Sequence, residues 1–286
     1  MTNTLQRAYD SPLLRHNGVL TFSEGKYRTV IEGSALTVSD GINAMRLPIQ
    51  WAFGLGRAGQ TYVFEHGGQM YESRVSYYNS LKALDLTLGA NQSKPATLIE
   101  AAGRPMNKTD VRECFGCHST GGVKRDGMLW ESLIPGVSCE NCHGSAEKHV
   151  QTKAAMLKLS SLSAEDTNEL CGACHRTWGQ VIQMNLRGSL NVRFQPYRIT
   201  NSKCFDAEDR RIACTACHNP HSELIQAPAA YDSKCLACHS GARRVRHAAK
   251  QECVTCHMPK VRLPGSHFDF ADHQIRIARQ GDPYPN

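Results

Sequence analysis

Cysteine and histidine carry most of the chemistry that this sequence could perform. Of its 286 residues, 13 are Cys and 13 are His. Twelve of the cysteines form six Cys-x-x-Cys pairs, and a His directly follows each pair. The cysteines of the six pairs are Cys114 and Cys117, Cys139 and Cys142, Cys171 and Cys174, Cys214 and Cys217, Cys235 and Cys238, and Cys253 and Cys256.

This spacing predicts covalent attachment of c-type haem. Zinc ribbons and redox dithiols also use Cys-x-x-Cys, but neither needs a His after every pair. In a c-type site the two thiols become thioethers to one haem, and the following His binds the iron from the proximal side. The sequence therefore predicts six haem c groups. Their proximal ligands are His118, His143, His175, His218, His239 and His257.

Seven further histidines could supply the second axial ligand of each iron. His221 follows its proximal His by three residues, and His149 follows its own by six. Two axial ligands lie on opposite faces of a haem, which a three-residue step cannot easily straddle, so we expect His221 to serve a different haem. The predicted distal ligands are His16, His149, His221, His247, His267 and His273. His66 is expected to be an exposed hairpin residue, and Met side chains are expected to pack rather than bind iron.

The net charge of +7 does not indicate a nucleic-acid partner here. Six ferric haems with ionised propionates would contribute about −6, which leaves about +1. Arginines such as Arg193, Arg198 and Arg211 are candidate propionate partners, and a solvated surface is the alternative reading. The unpaired Cys204 is expected to be a buried thiol, with an intermolecular disulfide as the alternative.

The elements that carry the motifs change along the chain. Residues 1–92 contain no Cys, and the alternation over 26–32 with a Gly67-Gly68 hairpin signal predicts a small antiparallel β domain. Residues 93–110 read as a linker, and 111–286 as a hexahaem domain. The fold class is α+β, with the β domain followed by a haem-packed domain of mostly short helices and loops. Helices are predicted near 145–158, 164–175, 232–247 and 248–257, with Ser163 and Asp166 as a capping box.

The compartment follows from the attachment chemistry. No stretch has the ~18 apolar residues of a membrane span. Because c-type haem is attached after the polypeptide crosses the cytoplasmic membrane, we expect a periplasmic or extracellular location. The sequence shows no apolar secretory signal at its start, so we expect either that a signal was removed or that the numbering is not that of the gene.

Three stretches resemble a known family. They are Cys139-Glu-Asn-Cys-His-Gly followed by His149, Cys214-Thr-Ala-Cys-His-Asn-Pro-His221, and Cys253-Val-Thr-Cys-His-Met-Pro-Lys followed by His267 and Asp272-His273. Together they resemble the multihaem c-type cytochromes typified by the tetrahaem electron acceptor of hydroxylamine oxidoreductase, over residues 110–276. The resemblance implies electron transfer through closely stacked haems with mostly His/His ligation. The six motifs depart from the tetrahaem type.

The favoured function is an electron carrier without substrate chemistry, and a polymeric extracellular conduit is a variant of it. Its partners would be other redox proteins or its own subunits, with no nucleic acid and no integral membrane segment. The alternative is an oxidoreductase that acts on a small nitrogen or sulfur compound at one open haem. The Cys-x-x-Cys-Lys variant that marks the catalytic haem of the resembling nitrite reductases is absent.

Overall fold

A computed structural model describes residues 4–240, 251–279, 282 and 284–285. The chain divides into two compact units. The first, here called the β unit, contains the residues up to Asn141 together with Pro264–Phe268. The second, the C-terminal unit, contains Cys142–Leu263 and the residues from Asp269 onward. The boundary falls inside the second motif, between Asn141 and Cys142.

The described residues form fifteen strands and eleven α-helices. The strands are β1 Leu5–Arg7, β2 Val19–Glu24, β3 Tyr27–Glu32, β4 Ala35–Ser39, β5 Ala44–Phe53, β6 Gly59–His66, β7 Gln69–Tyr78, β8 Ala83–Leu86, β9 Gly103–Pro105, β10 Ser119–Thr120, β11 Val123–Lys124, β12 Gly127–Met128, β13 Ile134–Pro135, β14 Lys260–Arg262 and β15 Asp269–Ala271. The helices are α1 Pro12–His16, α2 Leu98–Ala102, α3 Lys108–His118, α4 Glu140–His143, α5 Glu147–Thr152, α6 Ala164–His175, α7 Trp178–Gln183, α8 Gln195–Thr200, α9 Cys214–Cys217, α10 Asp232–His239 and α11 Cys253–His257.

The β unit is built on one antiparallel sheet in the order β2-β3-β4-β5-β6-β7-β8, with β1 paired to β5 and β9 paired to β7. The end strands β2 and β8 contact each other, so the sheet nearly closes into a barrel. Arg74 on β7 supports this closure with two bonds of 2.6 and 2.7 Å to the Glu24 carboxylate of β2. Its guanidinium also donates to the Ser93 carbonyl at 2.6 Å. A bidentate pair of this kind holds both partners in one geometry.

A β-bulge in β5 gives the sheet a second buried face. Ile49 faces the barrel interior, and strict alternation would also point Trp51 inward. The pairing with β6 shifts register between these two residues. After the shift, Ala52 joins the interior cluster and Trp51 faces the outer side. A bulge re-aims the side chains that follow it, and this one supplies the outer surface on which α3 packs.

The C-terminal unit consists of short helices and loops, with the hairpin β14–β15 as its strand pair among the described residues. Its fully buried ion pair joins Arg198 of α8 to Asp272, with bonds of 2.8 and 3.0 Å. Arg198 also donates to the Pro285 carbonyl at 2.8 Å. Arg276 is a second cation on the same carboxylate. This cluster holds α8 against the segment that carries His273.

The predicted α+β class is confirmed by this architecture. The hairpin is confirmed as β6 and β7, and Gly67 and Gly68 have φ of 58° and 76°, as a tight turn of two left-handed residues requires. The alternation predicted over 26–32 is confirmed on β3, where Tyr27, Thr29 and Ile31 share one face, and that face is buried.

Helix positions follow the sequence with shorter bounds. The helix over 164–175 is confirmed as α6, and the one predicted near 145–158 is shorter, as α5. Residues 241–250, which hold parts of two predicted helices, lie outside the described residues. Ser163 caps α6 by accepting from the Asp166 N–H at 3.0 Å, but the Asp166 carboxylate accepts from the Ser163 hydroxyl rather than from the backbone. Residues 93–110 contain α2 and β9, and the three-part domain division stays a prediction.

Candidate haem-binding sites

The first motif lies at the end of α3, on the outer face of the sheet. Asn107 and Asp110 form a capping box at the start of this helix. Phe115, between the two cysteines, is fully buried and packs edge-on against Trp51 at 5.3 Å between ring centroids. Burial raises the pKa of the Cys114 thiol to about 12. Phe115 therefore anchors the motif to the sheet. The two Cys and the His of the same turn are left to bind a cofactor.

Several motif histidines are already oriented for iron binding. A His that binds a metal through Nε2 carries its proton on Nδ1, where it needs an acceptor. His118 Nδ1 lies 3.1 Å from the Thr4 carbonyl, His143 Nδ1 lies 2.8 Å from the Leu157 carbonyl, and His257 Nδ1 lies 2.8 Å from the Arg276 carbonyl. These bonds select the tautomer whose Nε2 carries the lone pair. The donor set thus fits axial ligation.

The C-terminal unit brings cysteines of different motifs into contact. Cys171 of the third motif and Cys214 of the fourth share a hydrogen bond, which raises the pKa of Cys214 and lowers that of Cys171. Cys235 of the fifth motif and Cys253 of the sixth also interact, and burial is the main cause that raises the pKa of both. Motifs three and four, and motifs five and six, are therefore neighbours at their first cysteines.

Two pairs of imidazoles have the separation that a shared metal requires. Two iron–nitrogen bonds of about 2 Å on opposite sides of one iron, with about 1.1 Å from each nitrogen to its ring centre, would place the ring centres about 6 Å apart. The ring centroids of His143 and His221 are 6.1 Å apart, with an interplanar angle of 17°. Those of His218 and His273 are also 6.1 Å apart, with an angle of 41°. Each pair joins a motif His to a predicted distal His.

The protonation of His273 suits this position. The side chain is half-buried in the C-terminal unit, and this burial lowers its pKa to about 4. Its Nδ1 lies 3.0 Å from the Ala271 carbonyl, as in the motif histidines described above. Burial likewise lowers the pKa of His218, helped by the nearby His175. Both rings are therefore neutral near pH 7, and a neutral imidazole is the form that binds a metal.

The other predicted distal histidines lie in different surroundings. His149 Nδ1 lies 2.9 Å from the Ala154 carbonyl, which orients its ring in the same way. His267 is held in the β unit, with Nε2 2.7 Å from an Asp85 carboxylate oxygen and its ring against Tyr78. His16 is exposed at the end of α1. His66 is exposed in the hairpin, as predicted. His247 lies outside the described residues.

The three arginines named as candidate propionate partners lie in different surroundings. Arg198 was a candidate propionate partner with a solvated surface as the alternative, but it is fully buried and paired with Asp272, so neither interpretation holds for it. Arg211 makes a bidentate pair with Asp209 on the surface. Arg193 lies near Arg176, and burial lowers its pKa, so this region of positive charge keeps its fit to an anionic group.

Cys204 was expected to be buried, but it is exposed.

Sequence patterns missed several residues that position the motifs. Asp232 accepts the Glu252 and Cys253 backbone N–H groups at 2.7 and 2.8 Å, and so caps the helix of the sixth motif. Asn168 accepts from the Cys214 thiol at 2.9 Å. Partners 20 or more residues apart leave no local signal, although an Asp at the start of a motif helix was visible in the sequence.

Comparisons with known proteins agree with this chemistry over part of the chain. Residues 73–144 match the family described as cytochrome c554 and c-prime. The matched segment holds the first two motifs, and it includes residues 73–109, which the resemblance seen in the sequence left out. The match supports a multihaem c-type cytochrome.

No curated protein matches the chain. The crystal structure of the outer cell wall cytochrome OcwA is similar at 16% identity and a TM-score of 0.38, over 73% of this chain and 56% of that one. The chain thus spans just over half the length of that structure.

Proposed function

We propose that this chain is an electron carrier that holds six haem c groups and has no substrate chemistry of its own. The observation that carries the proposal is the pair of 6.1 Å imidazole separations, because each brings together two histidines that the sequence assigned to axial ligation. The proposed six attachment sites are the six motifs. Haem iron alternates between ferric and ferrous states and so carries one electron per group.

The distal ligands follow from the same geometry. We assign His221 to the iron held by His143, and His273 to the iron held by His218. His221 thereby serves a haem other than that of its own motif. His149 is a further candidate, since its Nδ1 bond leaves Nε2 as the ligand atom. His16 and His247 stay in the proposed set, and His267 leaves it because its Nε2 contacts Asp85.

The contacts also group the attachment sites into two sets of neighbours: motifs two, three and four, and motifs five and six. The His143–His221 pair links the second and fourth motifs. The Cys171–Cys214 contact links the third and fourth, and the Cys235–Cys253 contact links the fifth and sixth. Attachment points this close place the redox groups of neighbouring motifs side by side, which is what a multi-centre carrier needs.

The proposed location is the periplasm or the cell exterior. It rests on the attachment chemistry, and no helix among the described residues is long and apolar enough to cross a membrane. The proposed partners are other redox proteins or further copies of this chain. Electron microscopy of the purified holoprotein would distinguish a filament, in which copies extend the path, from a discrete particle.

The decisive experiment counts haems and their ligands. A pyridine haemochrome assay with intact mass should give six covalent haems, and four or fewer would overturn the proposal. Electron paramagnetic resonance of the ferric protein should show mainly low-spin iron. His221→Met should perturb the haem of Cys139 and Cys142, whereas the matched variant His66→Met should leave every signal unchanged.

A competing function predicts turnover. An oxidoreductase for a small nitrogen or sulfur compound needs one iron with an open coordination position. The proposed set has five distal histidines for six irons, so one iron without a second His ligand fits either function. Turnover of nitrite, hydroxylamine or sulfite by the purified protein, together with a high-spin signal that responds to cyanide or nitric oxide, would favour the oxidoreductase over the carrier.

A further inference from the structure

The third motif differs from the others in what its histidine contacts. His175 Nδ1 lies 3.1 Å from Oε1 of Gln195, a side-chain amide. In the three other motifs for which the described residues show the Nδ1 partner, that partner is a main-chain carbonyl. A backbone carbonyl is the same in every variant, whereas a side-chain acceptor can be changed by one substitution. The third site therefore has an adjustable partner.

The tautomer of His175 decides the roles in this bond. When His175 binds iron through Nε2, its proton lies on Nδ1, so Nδ1–H donates and the amide oxygen accepts. This also orients the amide of Gln195, with Oε1 toward the ring. The acceptor is neutral, and it polarises the Nδ1–H bond less than a carboxylate would.

The fold holds Gln195 in this position. Gln195 is the first residue of α8, and Pro196 follows it at the second helical position, where its lack of an N–H costs nothing. The next three residues, Tyr197, Arg198 and Ile199, are buried, and α8 packs against α6, whose last residue is His175. The Arg198–Asp272 ion pair anchors the same helix. The amide is thus presented by a fixed helix rather than by a mobile loop.

We propose that Gln195 is a positioning residue that sets the reduction potential of the haem on Cys171 and Cys174 through the Nδ1–H of His175. This inference rests on the proposed function, because it requires His175 to be an iron ligand. A stronger acceptor on Nδ1–H gives the ring more imidazolate character and favours the ferric state. A missing acceptor has the opposite effect. The neutral amide thus gives this haem a reduction potential between the value expected with a charged acceptor and the value expected with none.

The test uses two neutral variants of the holoprotein and one charged variant. Gln195→Leu removes the acceptor, and Gln195→Asn withdraws the amide by one methylene without removing its polarity. Both should move one of the six redox components to a more positive potential in an optical titration. Gln195→Glu should move the same component to a more negative potential. Gln183, exposed on the neighbouring α7, supplies the control, and Gln183→Leu should leave all components in place.

The outcomes separate this inference from the function beneath it. Six covalent haems with an unchanged titration in Gln195→Leu and Gln195→Asn would overturn the role of Gln195 and leave the carrier intact. A haemochrome count of four or fewer in the wild type would overturn the carrier itself. If the low-spin resonance stays intact while one set of g-values shifts, His175 is retained as a ligand and only its basicity has changed. That result supports the role of Gln195. A shift in Gln183→Leu of the same size would also refute the assignment.

Discussion

Replacing Asp272 by Asn should destabilise the C-terminal unit severely. Asp272 and Arg198 are both fully buried, and two bonds of 2.8 and 3.0 Å join them. Hydrogen bonds from Arg198 and Gln274 outweigh the burial that opposes ionisation, so the pKa of Asp272 is lowered and the side chain is a carboxylate. The amide would keep the shape but remove the charge, which leaves Arg198 and Arg276 without their shared counter-ion.

The size of the loss follows from burial. Removing one partner of a buried ion pair costs about 3–5 kcal/mol, because the remaining charge is desolvated and uncompensated. With a denaturant slope of about 4 kcal/mol/M in guanidinium chloride, the unfolding midpoint should fall by about 1 M. Arg198→Met should lower the free energy of unfolding by less than Asp272→Asn does, since the carboxylate then keeps Arg276 as its partner.

The assay is guanidinium unfolding of the holoprotein, followed by far-ultraviolet circular dichroism. A matched control is available in Arg262 and Asp269, which form the same bidentate pair on the surface, with side chains 65% and 36% exposed. Asp269→Asn should leave the midpoint unchanged within error, because exposed pairs contribute little. An Asp272→Asn midpoint equal to that of Asp269→Asn would refute the reasoning.

Three further predictions concern the other anchors. Trp51→Ala should destabilise the β unit by about 3–5 kcal/mol in thermal unfolding, because it empties the buried face under the first motif; Trp178→Ala, at an exposed position, should have no such effect. His267→Phe should leave the ferric low-spin resonance unchanged, and a new high-spin signal would show instead that His267 binds iron. Asp232→Ala should reduce loading of the sixth haem in intact mass spectra. Backbone N–H bonds lower the pKa of Asp232, so its capping should persist above about pH 3.8 and be lost as the pH falls further.

The sequence alone determined the cofactor chemistry and much of the β unit. The Cys-x-x-Cys-His spacing is local, because two thiols and an imidazole must lie on one helical turn to meet one haem. The hairpin at Gly67-Gly68 is equally local, since a tight turn with two left-handed residues is readable from two glycines. Alternation in β3 also depends only on neighbours two positions apart. Features of this kind need no knowledge of the rest of the chain.

Tertiary structure decided which histidines meet and which arginines reach an anion. His143 and His221 are 78 residues apart, and no sequence period relates them. Arg198 looked like a propionate partner because an exposed and a buried arginine are identical in sequence. Asp272, which lies 74 residues away in the sequence, forms the ion pair with Arg198. The bulge that turns Trp51 toward α3 was hidden in the same way, because an extra strand residue is visible only against its partner strand. Packing and the neutralisation of buried charge decide these long-range contacts. Both depend on which distant segments of the chain the fold brings together.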